Sequence, residues 1–562
     1  MGCMRIPLNS TSHYDAITNK PYHFIFKMLV KLNRMTKILV YWFANLFILY
    51  AYIEFSHLWV DVGGGSSKLF DLEIPLIILT VTSLYFTKIK NKLYKYVLPI
   101  LPIIAIYIGI DIFYNYLARM PRASDLQNLS IVWDFSPLLG WMFVLWCVLI
   151  LLPPALLICE ARRHYPNKIL FKSIFYRVIG VVALIWGLST SVFYQFQQKI
   201  FKDVVWSQEV TIRKNGRING FLFYDHQTNA NKETLLKYSY SDIDVIRTLY
   251  PSKLVDSPNI HLIVLESFID PRMLQGIDFD KSPLALELKK YLQNNKFSTV
   301  ISPTYGGGTA QAEFELLTGI PAYGKVNSIE FNVMLGGEIR GFLSHLINNG
   351  YYTTATIASD DKYFNAKSAY KSLGLQTVDF LGESHPGVMF DGDLFDVNLD
   401  KIKLIIQNSD APIFNYVLGM YGHVPYKRDS IHRPDIINTS YSDERIKNIS
   451  NQFYYRTAAL SQYIEELIKI DPNSIIYITS DHLPPILNKD IKYQHSNKTN
   501  ISLLLKDGHY LPVSGKLYYE IPWLFWDILS KTSHNRHQTT SVSSNMTQLY
   551  FKTLADSIFE KR

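Results

Sequence analysis

Five long apolar stretches crowd the first third of the chain, running approximately from Ile38 to Val60, Leu69 to Phe86, Tyr96 to Leu117, Leu138 to Cys159 and Val178 to Tyr194. Most approach the ~20 residues a helix needs to cross a bilayer. The second is interrupted at its start by Asp71, Glu73 and Pro75, a tolerable position because acids near the membrane surface cost far less than acids at its centre. Basic residues alternate with the stretches. Lys27, Lys31 and Arg34 precede the first, Lys88, Lys90, Lys92 and Lys95 follow the second, and Arg162, Arg163, Lys168 and Lys172 follow the fourth. The connections Asp61 to Lys68 and Ala118 to Ser136 are much poorer in Lys and Arg. Positive loops stay in the cytoplasm, so five spans place everything after Tyr194 outside it. The expected protein is a multi-pass membrane protein whose remaining chain lies outside the cytoplasm.

Composition supports this partition. Hydrophobic residues make up 48% and charged residues 19% of the 562, against about 25% charged in ordinary soluble domains, which excludes a disordered chain. The net charge of +8, from 56 Lys and Arg against 48 Asp and Glu, is slight and lies beside apolar segments, so no nucleic-acid partner is expected. The N-terminus has no early apolar core followed by a cleavage site, which makes the first stretch an uncleaved anchor. Only Cys3, Cys147 and Cys159 occur, which excludes a disulfide scaffold and a thiolate zinc site. Any catalytic metal must sit on oxygen and imidazole.

The expected parts are a five-helix transmembrane domain over 1–195, an interfacial helix and linker over 196–256, a catalytic domain over 257–535 and a tail over 536–562. Gln195 to Trp206 reads equally as an amphipathic helix on the membrane surface or as a continuation of the fifth span, and Asn215 to Ser257 as a polar linker. From Pro258 the pattern changes. Ile260 to Leu265, Thr353 to Ile357, Ile413 to Leu418 and Ile475 to Ile478 read as buried strands, with Leu284 to Leu292, Glu338 to Asn348 and Asn451 to Ile468 as helices. The alternation predicts an α/β domain with a largely parallel sheet, whose ligands collect at the carboxyl ends of the strands.

Three strand ends carry ionisable groups. Glu266 and Ser267 follow the first, Asp481 and His482 follow Ile475 to Ser480, and His423 follows Asn415 to Gly422. A divalent ion of the zinc or manganese type accepts such a mixed oxygen and nitrogen set. Alone, Glu266 also reads as a capping or surface acid and His423 as a packed histidine. Gly306, Gly307 and Gly308 then allow a tight turn into a helix that begins at Thr309. Thr309 reads either as a nucleophile in the positive field of a helix N-terminus or as an N-cap. The loop is not a Walker A motif, because no Gly-Lys-Ser/Thr follows the glycines.

The string Gly-Gly-Gly-Thr-Ala-Gln-Ala-Glu-Phe-Glu at 306–315, with Glu266 before it and Ser-Asp-His at 480–482, resembles the lipoteichoic acid synthase branch of the alkaline phosphatase and sulfatase superfamily. That resemblance implies one divalent metal ion, Mn or Zn, on Glu266, Thr309, Asp481 and His482. It makes Thr309 the nucleophile, His423 a substrate-contacting residue, and Glu313 and Glu315 structural members of the helix. It implies a membrane phospholipid donor and a glycan or lipopolysaccharide acceptor. In relatives that polymerise glycerol phosphate, an aromatic-Asn-Arg segment clamps the phosphate, whereas this chain has Phe364-Asn365-Ala366. The missing fork of donors, together with Asp360 and Asp361 nearby, shifts the expected head group to phosphoethanolamine. Glycerol phosphate transfer and ester hydrolysis are the alternatives. His495, in the polar stretch after the Asp-His strand, is a further candidate for the pocket.

Overall fold

The computed structural model describes residues 34–559 apart from 57–72, 84–89, 118, 124, 126–136, 164–165, 240–243, 251, 383–388, 488 and 533–539. Cys3, Lys27, Lys31, Asp71 and the connections 61–68 and 126–136 therefore lie outside the described residues. The chain divides into two compact units, one over 1–115, 123–202 and 212–222, the other over 116–122, 203–211 and 223–562.

The first unit is helical. Among the described residues three helices are long and apolar enough to cross a membrane, Ile38–Ser56, Lys92–Asn115 and Phe143–Arg162. The other two expected spans take different forms. The second stretch forms an 11-residue helix, Glu73–Ser83. The fifth lies across a break: the Asn167–Leu188 helix contains Lys168, Lys172 and Arg177 and stops before Thr190, whose hydroxyl caps the Ser191–Ile200 helix by accepting from Phe193 N. Lys168 and Lys172, expected in a loop, are thus helical. The chain leaves helix at Phe201, so the interfacial helix expected over Gln195 to Trp206 ends early.

The linker expected over Asn215 to Ser257 is largely helical, with a 23-residue helix at Arg217–Ser239. Its polar, non-periodic sequence gave no helical stripe; its start is fixed by a distant residue instead. Glu73 accepts from the main-chain N–H groups of Arg217, Ile218 and Asn219 at 3.1, 3.2 and 3.4 Å, and Arg217 Nε donates to Asp111 Oδ1 at 2.6 Å. An acid that interrupts an apolar run in the sequence thereby satisfies the orphan donors of a helix.

The second unit is built on a nine-stranded sheet. Its strands are β1 (Ile260–Leu265), β2 (Ser298–Ile301), β3 (Tyr352–Ile357), β4 (Thr377–Phe380), β5 (Ile413–Gly419), β6 (Ile475–Ser480), β7 (Thr499–Lys506), β8 (His509–Leu511) and β9 (Lys516–Leu517). The order is β9-β2-β7-β6-β1-β5-β3-β4, with β8 added to β7. The sheet is mixed, not largely parallel. From β6 to β4 all neighbours run parallel, but β7 is antiparallel to β6, β2 and β8. A parallel return requires a long crossover, usually a helix, and among the described residues no helix separates β6 from β7.

Helix bounds also shift. Leu284 to Leu292 contains only a 3-10 turn at Glu287–Tyr291, the helix expected from Glu338 starts at Phe342 behind Gly341, and the one expected from Asn451 starts at Glu444, capped by Asp443. The expected tail is not a tail: Thr540–Ile558 is a helix whose Leu549, Tyr550, Leu554 and Ala555 are buried in the main core.

Candidate active site

Register places the site. Leu265, the last residue of β1, pairs with Gly419 of β5 on one side and Ser480 of β6 on the other. The three strands therefore end level, and the residues that follow, Glu266, Met420 to His423, and Asp481 with His482, emerge at one edge. Every residue of β1, β5 and β6 is buried, which is why these strands read as continuous apolar runs.

The fourth participant arrives by a glycine turn. Gly308 sits in the left-handed region at φ +88, and a Cβ there would stand 2.9 Å from Thr304 Cγ2. Gly308 is the N-cap of the Thr309–Thr318 helix, and no side chain caps it. Thr309 is thus the first helical residue, not the cap. Its hydroxyl turns away from the helix to Asp481 Oδ2 at 2.8 Å and Glu266 Oε2 at 3.2 Å.

Glu266, Asp481 and His482 offer ligand atoms that all lie within 4.8 Å of one another, and all three are buried. His482 Nε2 is 3.2 Å from Asp481 Oδ2 and 3.5 Å from Glu266 Oε1. Its Nδ1 stands 3.1 Å from the Leu483 carbonyl; a carbonyl can only accept, so Nδ1 is the donor there and Nε2 is the ring nitrogen turned to the carboxylates. Among the described residues no lysine or arginine side chain pairs with either acid. Burial, and then the neighbouring Asp481, push the Glu266 carboxyl well above the usual carboxylate range. Converging acceptors without a cation are what a divalent-ion site requires, and the donor set of carboxylate, imidazole and hydroxyl oxygen suits Mn or Zn.

Several positioning residues gave no sequence signal. Ser267, strained at φ +50, donates from its N–H to Asp481 Oδ1 and from its Oγ to Glu266 Oε1, both at 2.8 Å. Ser302 Oγ holds the Asp481 carbonyl at 2.7 Å. Arg456 bonds Asp391 at 2.5 Å and the Glu266 carbonyl at 3.0 Å. Gly422 must be glycine because a Cβ would lie 2.1 Å from the Glu266 carbonyl oxygen. Only Ser267 carried a hint, as a polar residue directly following a buried strand.

His423 is half-buried. Its Nδ1 lies 2.7 Å from its neighbour Val424's carbonyl and its Nε2 faces the Tyr363 hydroxyl at 3.3 Å. Tyr363 and Thr309 both line a small cavity that Glu313, Phe331, Ser359, Phe364, Ala366 and Tyr370 also bound. Asp360 and Asp361 do not line it; Asp361 pairs with Lys367 at 3.1 Å and burial pushes Asp360 up to about 6. His495 is exposed against Tyr493. Glu313 and Glu315 are both buried, the first pushed up to about 7 and the second to about 8, chiefly by that burial.

The sulfatase family profile matches residues 258–549, just over half the chain.

The chain belongs to the sulfatase family. It is 24% identical over 302 residues to a Rhizobium meliloti (strain 1021) protein provisionally named for cyclic beta-1,2-glucan modification, covering 50% of this chain and 45% of that one. The chain thus spans about half the length of the curated relatives it matches. Among solved structures, lipoteichoic acid synthase LtaP from Listeria monocytogenes is 14% identical with a TM-score of 0.42, covering 56% of this chain and 81% of its own. Phosphoglycerol transferase GacH from Streptococcus pyogenes is 16% identical at 0.42, covering 58% and 92%.

Proposed function

We propose that this sulfatase-family chain is a membrane-anchored phosphotransferase that moves a phospholipid head-group phosphate, phosphoethanolamine, onto an envelope glycan such as the lipopolysaccharide inner core. The observation that carries the reading is the Thr309 hydroxyl, held at a helix N-terminus against two buried carboxylates and an imidazole nitrogen. A divalent ion held by Glu266, Thr309, Asp481 and His482 would lower the hydroxyl's pKa and offset charge on the phosphoryl oxygens.

In the first half-reaction the Thr309 oxygen bonds to the donor's phosphorus and the bond from phosphorus to the glycerol oxygen breaks. Diacylglycerol leaves as the alcohol. The proton lost by Thr309 is the one gained by that oxygen, and His423 is the residue assigned to pass it on. In the second half an acceptor hydroxyl bonds to phosphorus, Thr309 is released and the proton moves back. Burial of Glu266, Asp481 and His482 keeps water from competing. Anchoring by apolar helices suits a donor that stays in its membrane, and the relative named for glucan modification supports a glycan acceptor.

The test supplies head-group-labelled phosphatidylethanolamine and phosphatidylglycerol, in parallel, to full-length metal-loaded protein in detergent with lipopolysaccharide. Label on Thr309 and then in the glycan from the first lipid is expected. Labelled glycan without labelled Thr309 would overturn the covalent mechanism, and label from phosphatidylglycerol alone would overturn the head group.

A further inference from the structure

The polar residues lining the cavity beside Thr309 are Glu313, Ser359, Tyr363 and Tyr370, and among the described residues Glu313 is the one carboxylate on its wall. Glu313 lies four residues after Thr309 in the same helix, so the two share a face about one turn, ~6 Å, apart. Glu313 is 3% exposed, yet it forms part of the cavity wall. Its hydrogen bonds are lopsided. Tyr370 and Tyr416 both donate their hydroxyls to Oε1, at 2.5 and 2.7 Å, and among the described residues no donor reaches Oε2. A carboxylate has two oxygens with about four acceptor positions, so half of this one is left for something else.

The rest of the wall says what that something is. The rings of Phe331, Tyr363, Phe364 and Tyr370 line the cavity, and no lysine or arginine does. One acid without a basic partner, surrounded by aromatic faces, attracts a cation and rejects an anion. Ala366, whose side chain is a single methyl, is itself on the wall. The neighbouring backbone is committed to this shape: Phe364 and Asn365 both hold positive φ, at +50 and +61, and Asn365 Nδ2 donates to the carbonyls of Phe331 and Met334 at 2.8 and 2.9 Å. Strain of this kind persists only where the surroundings enforce it.

We infer that Glu313 Oε2, in a cavity that Ala366 also lines, is the receptor for a primary ammonium two carbons from the transferred phosphorus. The inference rests on the phosphoethanolamine reading. With phosphorus at Thr309, a two-carbon arm directs its ammonium toward Glu313 one helical turn away, between the aromatic rings. Asp360 and Asp361, the acids nearest in sequence to the aromatic-Asn-Ala segment, are not needed for it.

The test is a binding cycle that requires no turnover. Metal-loaded full-length Thr309→Ala protein is titrated with O-phosphoethanolamine and with propyl phosphate, which has the same shape without the ammonium. The first should bind at least tenfold more tightly, and adding Glu313→Gln should remove the difference while leaving propyl phosphate binding within about twofold. Equal binding of the two probes to the Glu313-containing protein would overturn the inference. So would an undiminished preference in the Glu313→Gln protein, or equal weakening of both probes, which marks a structural role. Failure of the donor reading shows up separately, as wild-type release of diacylglycerol from phosphatidylglycerol alone.

Discussion

Strand β1 carries a buried ionisable residue at each end, and the two ends treat it in opposite ways. Near the amino end, His261 Nε2 meets Asp471 at 2.8 Å and its Nδ1 meets Asn415 Nδ2 at 3.2 Å. Asn415 exchanges two hydrogen bonds with Asn398, which also bonds Thr356 and Tyr463. Each charge and amide there has a partner. Just past the carboxyl end, Glu266 and Asp481 crowd together with only hydroxyl, imidazole and N–H neighbours. Same strand, same burial: one end closes its polar network, and the other is left short of a cation. Unbalanced burial is costly, so its presence at one end marks where the chain spends stability on chemistry.

The largest test of that contrast is Thr309→Ala. It should cut turnover on the order of a thousandfold or more while the protein stays folded, since Gly308 and not Thr309 is the helix cap. A folded variant that keeps substantial turnover would place the nucleophile elsewhere. Metal removal comes next. Chelation should lower the melting temperature of the wild type, a ligand at a hundred times its Kd stabilising by about 2.7 kcal/mol. Glu266→Gln should abolish that metal dependence and melt higher than metal-free wild type, because it removes one of two crowded carboxylates. If the metal-free variant melts lower, the crowding is not the cost that it is taken to be.

The opposite end should answer in reverse. Asn398→Ala takes away the partner that the Tyr463 and Thr356 hydroxyls share and the two bonds that Asn415 exchanges with it, and should cost about 1 to 3 kcal/mol in denaturant unfolding, with turnover per folded molecule unchanged. Lost turnover at full folding would link the two ends. The slope of stability against pH tests Glu315, which accepts from Ala322 N at 2.9 Å. Its carboxyl, raised by burial to about 8 from an ordinary 4.5, holds a proton in the folded state that the unfolded state has lost. Its contribution is therefore full below pH 4.5 and declines as pH rises toward 8. Glu315→Gln should flatten the fall in melting temperature between pH 5 and 8; an unchanged slope would show that Glu315 is ionised throughout.

What the sequence disclosed follows the same divide. Glu266, Asp481 and His482 were visible because they follow continuous apolar strands, although Glu266 alone also read as a capping or surface acid, and the structure brings all three to Thr309. Ser302 and Arg456 were not readable, because each acts through a partner far away in the chain, Arg456 on a carbonyl 190 residues distant. Glu313 was visible as a helix member, but its neighbour Tyr416 comes from another strand. Strand β7 and the helix after Arg217 were missed for a related reason: the first turns back without a helix, and the second starts where Glu73, not a local residue, satisfies its donors.

The helix at Thr540–Ile558 has a consequence for how the protein is made. Tyr550 bonds Glu330 and Lys325, and the Ser557 carbonyl accepts from Leu335 and Gly337, so a segment synthesised after every strand completes the interior around the helix that bears Thr309. Until that segment has been synthesised, the half-finished unit has an open apolar seam. A premature stop codon before residue 540 would accordingly discard the fold rather than shorten it, and a nascent chain stalled there is open to proteolysis.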